Sequence, residues 1–154
     1  MIKYLIMDVD GTLTDGKIYM SDNGELMKAY NIKDGYGIHN ILMNFNIEPI
    51  IITGRESKIV LHRCSELGIN KIFQGVTDKG SQLLALSLDL SEVAYIGDDL
   101  NDFSCMIMVK ESGGVIGCPR DAVQEIINIS NFVAEHDGGD GAVRDFIDYL
   151  VKKI

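Results

Sequence analysis

Residues 4–12 read Tyr-Leu-Ile-Met-Asp-Val-Asp-Gly-Thr, an apolar run that ends in two carboxylates and a glycine. The run Tyr4–Met7 has the short, continuous apolar pattern of a strand that is covered on both faces. Asp8 and Asp10 follow it directly on a turn opened by Gly11, so both can serve one site. A carboxylate attacks phosphorus when a divalent cation offsets its charge. The alternative interpretation is an acidic turn that ends a strand and has no catalytic function.

Strand-like and helix-like segments alternate along the rest of the chain. The other predicted strands are Pro49–Ile52, Lys71–Phe73, Val93–Ile96 and Gly114–Ile116. The predicted helices are Gly35–Asn44, Ser57–Leu67, Lys79–Leu88, Asp99–Met106, Asp121–Ile127 and Gly141–Lys152. This alternation predicts a three-layer, Rossmann-like α/β fold with a central parallel sheet. The site of such a fold lies at the carboxyl ends of its strands.

One segment interrupts the alternation after the first strand. Ile18–Met20 and Glu25–Tyr30 flank Ser21-Asp22-Asn23-Gly24, in which Asn-Gly is a strong hairpin signal. We therefore predict a small β-hairpin insertion at about residues 17–30 of a single domain, residues 1–154. Its apolar side chains need a surface to pack on: Ile18, Met20, Leu26 and Met27.

The composition limits the class of protein. Hydrophobic residues make up 46% of the chain and charged residues 24%, as in a globular domain. The formal net charge of −9 leaves no basic excess for nucleic acid. No apolar run is long enough to cross a bilayer, and we recognise no signal peptide. Three cysteines without a CxxC pair (Cys64, Cys105 and Cys118) fit reduced thiols. We expect a cytoplasmic protein that binds neither nucleic acid nor membrane.

Two later strands also end in polar residues. Thr53-Gly54-Arg55 follows one of them, and its hydroxyl and N–H groups could hold phosphate oxygens, although Thr-Gly is also a common helix cap. Residues 98–102 read Asp-Asp-Leu-Asn-Asp, which suits a Mg²⁺ site or, alternatively, an exposed acidic helix start. Lys79 is the candidate cation that a crowded acidic site requires, although a lone lysine is ordinarily a solvated surface residue.

In this order, the four motifs resemble those of the haloacid dehalogenase superfamily. The resemblance implies that Asp8 is the nucleophile and that Asp10 is the general acid and base. It also implies that Thr53 and Lys79 bind the phosphoryl group, together with Gly54.

The same resemblance implies a Mg²⁺ site. Asp8, Asp98 and the backbone carbonyl of Asp10 would bind the ion. Asp99 and Asp102 would lie behind these ligands and order waters or the lysine.

Other stretches narrow the resemblance to one subfamily. Residues 13–16, the hairpin, residues 31–38 and residues 138–144 are similar to the 3-deoxy-D-manno-octulosonate 8-phosphate phosphatases. This subfamily is capless, and 154 residues leave no room for a large cap domain. The resemblance implies a Mg²⁺-dependent phosphatase for a phosphorylated 2-keto-3-deoxy sugar acid, acting through an aspartyl phosphate. It also implies a homotetramer in which a neighbouring subunit closes each site.

Two arginines bear on the substrate in this subfamily. Arg55 stands where octulosonate phosphatases have arginine and nononate phosphatases have glutamate. Arg63 matches an arginine that in relatives reaches a neighbour's site and binds the substrate carboxylate, as a guanidinium can do bidentately. The alternative for Arg63 is a surface helix residue. Glu66 stands where the nononate enzyme has a substrate-binding lysine.

Two other functions stay open from the sequence. One is an acylneuraminate or nononate 9-phosphate phosphatase. The other is a non-catalytic oligomerisation partner of a sugar-acid cytidylyltransferase, which usually lacks one or more of the catalytic groups. Residues 135–140 are predicted as a loop and, secondarily, as an inter-subunit lid.

Overall fold

The computed structural model describes residues 1–154 and is built around a central parallel sheet. The strands in chain order are β1 (Tyr4–Met7), β2 (Tyr19–Ser21), β3 (Gly24–Met27), β4 (Glu48–Ile52), β5 (Lys71–Phe73), β6 (Val93–Ile96), β7 (Val115–Cys118) and β8 (Phe132–Val133). Six of them form a sheet in the order β5-β4-β1-β6-β7-β8, and each neighbouring pair is parallel. The chain leaves β1 toward one edge and later returns to the other side of it. The carboxyl ends of β4, β1 and β6 therefore meet at a topological switch point.

Helices cover both faces of this sheet. They are α1 (Ile32–Tyr36), α2 (Leu42–Asn44), α3 (Lys58–Leu67), α4 (Lys79–Ala85), α5 (Phe103–Glu111), α6 (Gln124–Ile129) and α7 (Ala142–Val151). A π-helical turn, Gly37–Ile41, joins α1 to α2, and short 3₁₀ turns occupy Leu90–Glu92 and Leu100–Asp102. One face packs on α1–α3 and α7, and the other packs on α4–α6. None of these helices is long and apolar enough to span a membrane.

Strand β1 illustrates why the apolar runs are continuous. Leu5 and Met7 pack with the α1–α3 and α7 layer, whereas Ile6 packs with the α4–α6 layer. All three side chains are fully buried, because successive residues of a strand point to opposite faces. The predicted three-layer fold with a parallel sheet is confirmed.

Several element bounds differ from the predicted ones for local reasons. Helix α4 ends at Ala85 instead of Leu88, because Ser87 adopts a positive φ of 53°. The first helix begins at Ile32, since the Asn31 side chain caps it by accepting a hydrogen bond from the N–H of Lys33 at 2.8 Å.

The other differences lie toward the C-terminus. In place of the predicted helix Asp99–Met106, the 3₁₀ turn Leu100–Asp102 leads into α5, which extends to Glu111. Helix α6 begins at Gln124 instead of Asp121. Strand β7 is Val115–Cys118 instead of Gly114–Ile116, since the N–H of Gly114 donates to the carbonyl of Val109 in α5 at 2.9 Å and not to a neighbouring strand. Strand β8 was not predicted, because two residues are too short to give a periodic signal.

The predicted hairpin is present between β1 and α1. Strands β2 and β3 pair in antiparallel fashion, with Asp22 and Asn23 at the tip. The turn is therefore one residue earlier than the predicted Asn-Gly pair, and Gly24 opens β3 opposite Ser21. Gly24 has a φ of +104°, which favours glycine. The apolar side chains of the hairpin stay largely exposed, including Met20 and Leu26 at 62% each.

Candidate active site

A polar pocket opens at the carboxyl ends of β1, β4 and β6. Nine residues line it and none is hydrophobic: Asp8, Asp10, Gly16, Thr53, Gly54, Arg55, Asp98, Asp99 and Asn101. Most of the predicted site residues therefore meet in one place. Lys79 and Asp102 lie at its floor and are buried. Arg63 does not line it.

The floor of the pocket is a buried ion-pair cluster. Lys79 opens α4, and its Nζ lies 2.9 Å from Asp8 Oδ1 and 2.8 Å from Asp102 Oδ1. The lysine is only 3% exposed, so it is not the solvated surface residue of the alternative interpretation. Burial lowers the pKa of Lys79, but the two carboxylates outweigh burial and raise it. The lysine therefore stays charged beside Asp8.

Asp98 enters the same cluster from the loop after β6. The hydroxyl of Thr12 donates a hydrogen bond to Asp98 Oδ1 at 2.9 Å. Gly11 passes so close that a Cβ there would lie 2.0 Å from Asp98 Oδ2. Only glycine fits here, since its φ of +89° also disfavours other residues. The Gly-Thr pair after Asp10 thus shapes the site around Asp98.

Three carboxyl groups converge near Lys79 and would repel one another if all of them were ionised. Carboxylate oxygens of Asp8, Asp98 and Asp102 lie within 4.8 Å of one another. Burial and the charge of Asp102 raise the pKa of Asp8 to about 6. Burial and the charge of Asp8 raise the pKa of Asp98 to about 9. A divalent cation with a preference for hard oxygen ligands would relieve this repulsion, so the donor set fits Mg²⁺.

Hydrogen bonds indicate which carboxylates are free to bind a metal. Asp102 Oδ1 accepts from Lys79 and from the hydroxyl of Tyr95 at 2.8 Å, and its Oδ2 accepts from the N–H of Asp98 at 3.1 Å. Both Asp102 oxygens are therefore occupied, whereas Asp8 has one oxygen without a lysine contact. Asp8 and Asp98 could hold the ion, with Asp102 supporting them from behind.

Two further residues near the acidic cluster have structural functions. Asp99 caps the 3₁₀ turn by accepting from the N–H of Leu100 at 2.7 Å. Tyr95 is fully buried in β6 and bonds Asp102, a role that sequence reasoning missed. A tyrosine in an otherwise aliphatic strand is the signal that could have revealed it, because a buried hydroxyl needs a partner.

The hairpin also reaches the pocket, which sequence reasoning missed. Lys28, just after β3, has its Nζ 2.5 Å from Asp10 Oδ1 and 3.0 Å from Glu25 Oε2. Arg55 lies more loosely, 4.0 Å from Asp10 Oδ2 and 3.8 Å from Glu25 Oε2. Its side chain is 45% exposed at the mouth of the pocket. Nothing local distinguishes Lys28 from a surface lysine, so only the fold reveals its position.

Arg63 lies outside the pocket, between α3 and α1. Its guanidinium is 5.5 Å from the centre of the Tyr30 ring, and Nη1 contacts Glu66 Oε2 at 3.2 Å. A Cβ at Gly35 would lie 2.6 Å from Arg63 Nη2, so this glycine makes room for the arginine. The function of Arg63 in a neighbouring site stays a prediction.

The loop of residues 135–140 packs on the same chain's site. The N–H of Gly139 donates to the carbonyl of Thr12 at 3.1 Å, and that of Gly138 donates to Asp121 Oδ1 at 2.9 Å. A Cβ at Gly138 would lie 1.9 Å from the carbonyl of Gly11. The two glycines thus let the loop pack against the turn after β1. A function of the loop as an inter-subunit lid stays a prediction.

Comparison with known proteins identifies phosphatases and a hydrolase as relatives of this chain. The chain is 44% identical to the 3-deoxy-D-manno-octulosonate 8-phosphate phosphatase KdsC of Salmonella typhi, over 97% of this chain and 79% of that one. A Moraxella catarrhalis phosphatase of the same name, solved with magnesium, phosphate and KDO, superimposes with a TM-score of 0.89 at 37% identity, over 98% of this chain and 86% of that one. A Legionella pneumophila structure described as a HAD superfamily (subfamily III A) hydrolase gives 0.87 at 36% identity, over 98% and 82%. No protein-family model matches the chain.

The fold and the pocket define the haloacid dehalogenase class of hydrolases, as the motif order predicted. Its resemblance to one subfamily is equally borne out by the relatives. The chain belongs to the family of 3-deoxy-D-manno-octulosonate 8-phosphate phosphatases.

Proposed function

We propose that this chain is a Mg²⁺-dependent phosphatase that hydrolyses 3-deoxy-D-manno-octulosonate 8-phosphate through an aspartyl phosphate on Asp8. The observation that carries the proposal is the position of Asp8, held by Lys79 at 2.9 Å on the floor of an entirely polar pocket. The activity for which the 44% identical relative is named supplies the substrate class.

Each residue of the site has its own function in the proposed reaction. Asp8 attacks phosphorus, and Lys79 keeps its carboxylate facing the pocket while adding positive charge beside the phosphoryl oxygens. Thr53 and the backbone at Gly54 bind the same phosphoryl group. When bound by Asp8, Asp98 and the carbonyl of Asp10, Mg²⁺ supplies the charge that offsets the phosphoryl oxygens.

Asp10 carries the proton in both halves of the reaction. It protonates the sugar oxygen as the ester bond breaks. It then accepts a proton from the water that attacks the aspartyl phosphate, since one group serves as acid and then as base. Its place in the wall of the same pocket as Asp8 supports this assignment.

Arg55 is the residue that we assign to substrate selection. It lies at the mouth of the pocket, and its two carboxylate neighbours are 3.8 Å and 4.0 Å away, so its hydrogen-bonding groups stay available. A guanidinium there can bind a carboxylate or hydroxyls of the sugar acid as the phosphate enters.

We also propose that the chain acts as a homotetramer in the cytoplasm. The exposed apolar side chains of the hairpin support assembly, because a neighbouring subunit would cover them: Ile18, Met20, Leu26 and Met27. Assembly would also allow Arg63 to serve a neighbour's site. The three cysteines are free and buried, which supports a reducing compartment.

Phosphate release with Mg²⁺ tests the function directly. The panel is octulosonate 8-phosphate, nononate 9-phosphate, acylneuraminate 9-phosphate and simple hexose phosphates, with Asp8→Asn as the blank. We expect a strong preference for the octulosonate. Preference for a nine-carbon acid would keep the chemistry and overturn the substrate. Release from none of them would make the chain a structural partner.

A further inference from the structure

Lys28 is a lysine with a buried side chain that contacts Asp10 in the wall of the pocket, and the reaction above does not use it. Its side chain is 2% exposed, and its Nζ contacts Asp10 Oδ1 at 2.5 Å and Glu25 Oε2 at 3.0 Å. Burial of an ammonium group is costly unless carboxylates replace its lost hydration. The contacts with Asp10 and Glu25 do so, which ties the hairpin to the proposed acid and base.

Glu25 fastens this arrangement to the sheet. Its Oε1 accepts a hydrogen bond from Ser57 Oγ, in the loop after β4, at 2.6 Å. Lys28 is therefore held from two sides and cannot swing away without breaking the contacts of Glu25. A group fixed in this way can fix its own partner in turn.

The two oxygens of Asp10 have different surroundings. Oδ1 accepts the short hydrogen bond from Lys28. Oδ2 has Arg55 Nε as a charged neighbour at 4.0 Å, which is beyond hydrogen-bond distance. One oxygen is occupied, and the other is available to exchange a proton.

We propose that Lys28 is a positioning residue that holds Oδ1 of Asp10 and thereby leaves Oδ2 as the oxygen that carries the proton. The proposal rests on the proposed phosphatase function. In the first step the bond from phosphorus to the sugar oxygen breaks and a bond from phosphorus to Asp8 forms. The proton on Asp10 Oδ2 moves to the sugar oxygen. In the second step water adds to phosphorus, the bond to Asp8 breaks, and a water proton returns to Oδ2.

Glu25 also offsets the charge of Lys28. Its Oε2 lies 3.0 Å from Lys28 Nζ, so Lys28 orients Asp10 as one half of an ion pair and not as an isolated positive charge.

The test compares two leaving groups in Lys28→Met. A sugar alkoxide needs a proton to leave, whereas p-nitrophenolate leaves without one. We expect the first-turnover rate with octulosonate 8-phosphate to fall by about 10- to 100-fold. The first-turnover rate with p-nitrophenyl phosphate should change by less than about threefold. The KM values for both esters should stay unchanged. Lys28→Arg keeps a donor and should restore part of the loss. Lys17→Met, an exposed lysine of the same hairpin, is the matched control.

Two results would overturn the proposal. One is an equal loss with both esters, and the other is a rise in KM without a loss of the first-turnover rate. If thermal unfolding shows that Lys28→Met is not folded, Glu25→Gln replaces it and must show the same selective loss. A wild-type chain that cleaves neither ester refutes the proposed function itself. An active wild type without the leaving-group difference refutes only the role of Lys28.

Discussion

Two lysines lie at one pocket, and each is buried between two carboxylates, yet they belong to different parts of the molecule. The core cluster consists of Lys79, Asp8, Asp102 and Tyr95. The hairpin cluster consists of Lys28, Glu25, Asp10 and Arg55. The members of the core cluster lie on β6 and α4, directly after β1, or in the 3₁₀ turn that leads into α5. The hairpin cluster instead joins the turn after β1 to an insertion outside the parallel sheet.

This difference separates two demands on the site. In the core cluster, Lys79 is 3% exposed, Asp8 is 4% exposed and Asp102 is fully buried. Close packing between parallel strands fixes such groups, as attack on phosphorus requires. The hairpin cluster opens toward solvent at Arg55 and depends on the hairpin for its geometry. We infer that the core cluster beside the sheet carries out the phosphoryl chemistry. The hairpin cluster controls proton transfer and substrate choice.

Removal of the core lysine should give the largest effect. Lys79→Met leaves Asp8 and Asp102 facing each other in a buried site without a cation. We expect kcat/KM for phosphate release to fall by about a thousandfold. Unfolding in denaturant should show a loss of roughly 3 to 5 kcal/mol, as for a broken buried ion pair.

A surface ion pair supplies the control for this variant. Lys71 pairs with Glu48 at 3.1 Å, and both side chains are more than 40% exposed. Lys71→Met should leave activity unchanged and alter stability by less than about 1 kcal/mol. A folded Lys79→Met that keeps more than about a tenth of the wild-type rate would contradict the division between the two clusters.

The next effect concerns the support of the metal site. Thr12→Val removes the hydroxyl that donates to Asp98 Oδ1 at 2.9 Å while keeping a similar volume. We expect the Mg²⁺ concentration for half-maximal activity to rise by about tenfold, because such hydrogen bonds orient a ligand. The maximal rate at saturating Mg²⁺ should change little. A lower maximal rate with unchanged Mg²⁺ dependence would show that Thr12 acts on the reacting groups instead.

The same contrast explains what could be predicted from the sequence. The residues at the base of the pocket follow strands that are recognisable as continuous apolar runs. Because the carboxyl ends of parallel strands meet, the sequence predicts that Asp8, Thr53 and Asp98 lie together. The three-layer order was predictable for the same reason, whereas the hairpin was predicted from its turn residues. Strand β8 was not, because two residues carry no period.

The hairpin cluster could not be predicted in this way. The contact of Lys28 with Asp10 spans 18 positions and depends on how the hairpin leans over the pocket. No local pattern sets that angle. Tyr95 is an intermediate case, since its strand was predicted but the partner of its hydroxyl was not.

A subtler change tests how tightly the core cluster is fixed. Tyr95→Phe removes the hydrogen bond to Asp102 Oδ1 and leaves Lys79 as the partner of that oxygen. We expect a loss of about 1 to 3 kcal/mol in the free energy of unfolding and a severalfold fall in kcat. Tyr36→Phe, at an exposed tyrosine, is the matched control. An unchanged kcat together with reduced stability would make Tyr95 purely structural.

Asp34 gives the smallest expected effect on turnover and sharpens the comparison, because it is a buried carboxyl group without a lysine. It is 2% exposed, and its Oδ1 accepts the N–H of Arg144 at the start of α7 at 2.9 Å. Burial raises its pKa from 3.8 to about 6, although backbone hydrogen bonds oppose the rise. Since the folded state holds the proton more tightly, the stabilisation is complete below pH 3.8 and is lost as the pH rises through about 6.

Asp34→Asn removes this titration while keeping an acceptor for α7. From about pH 4 to about pH 7, the variant should therefore gain up to about 3 kcal/mol in unfolding free energy relative to wild type. Asp89 is the control of opposite sign: hydrogen bonds from Ser91 lower its pKa, so its stabilisation is lost as the pH falls. A flat difference between Asp34→Asn and wild type across this range would mean that the helix N-terminus keeps Asp34 ionised. Such a carboxylate would need no lysine, and the need for Lys79 and Lys28 would then arise from the crowding of carboxylates and not from burial.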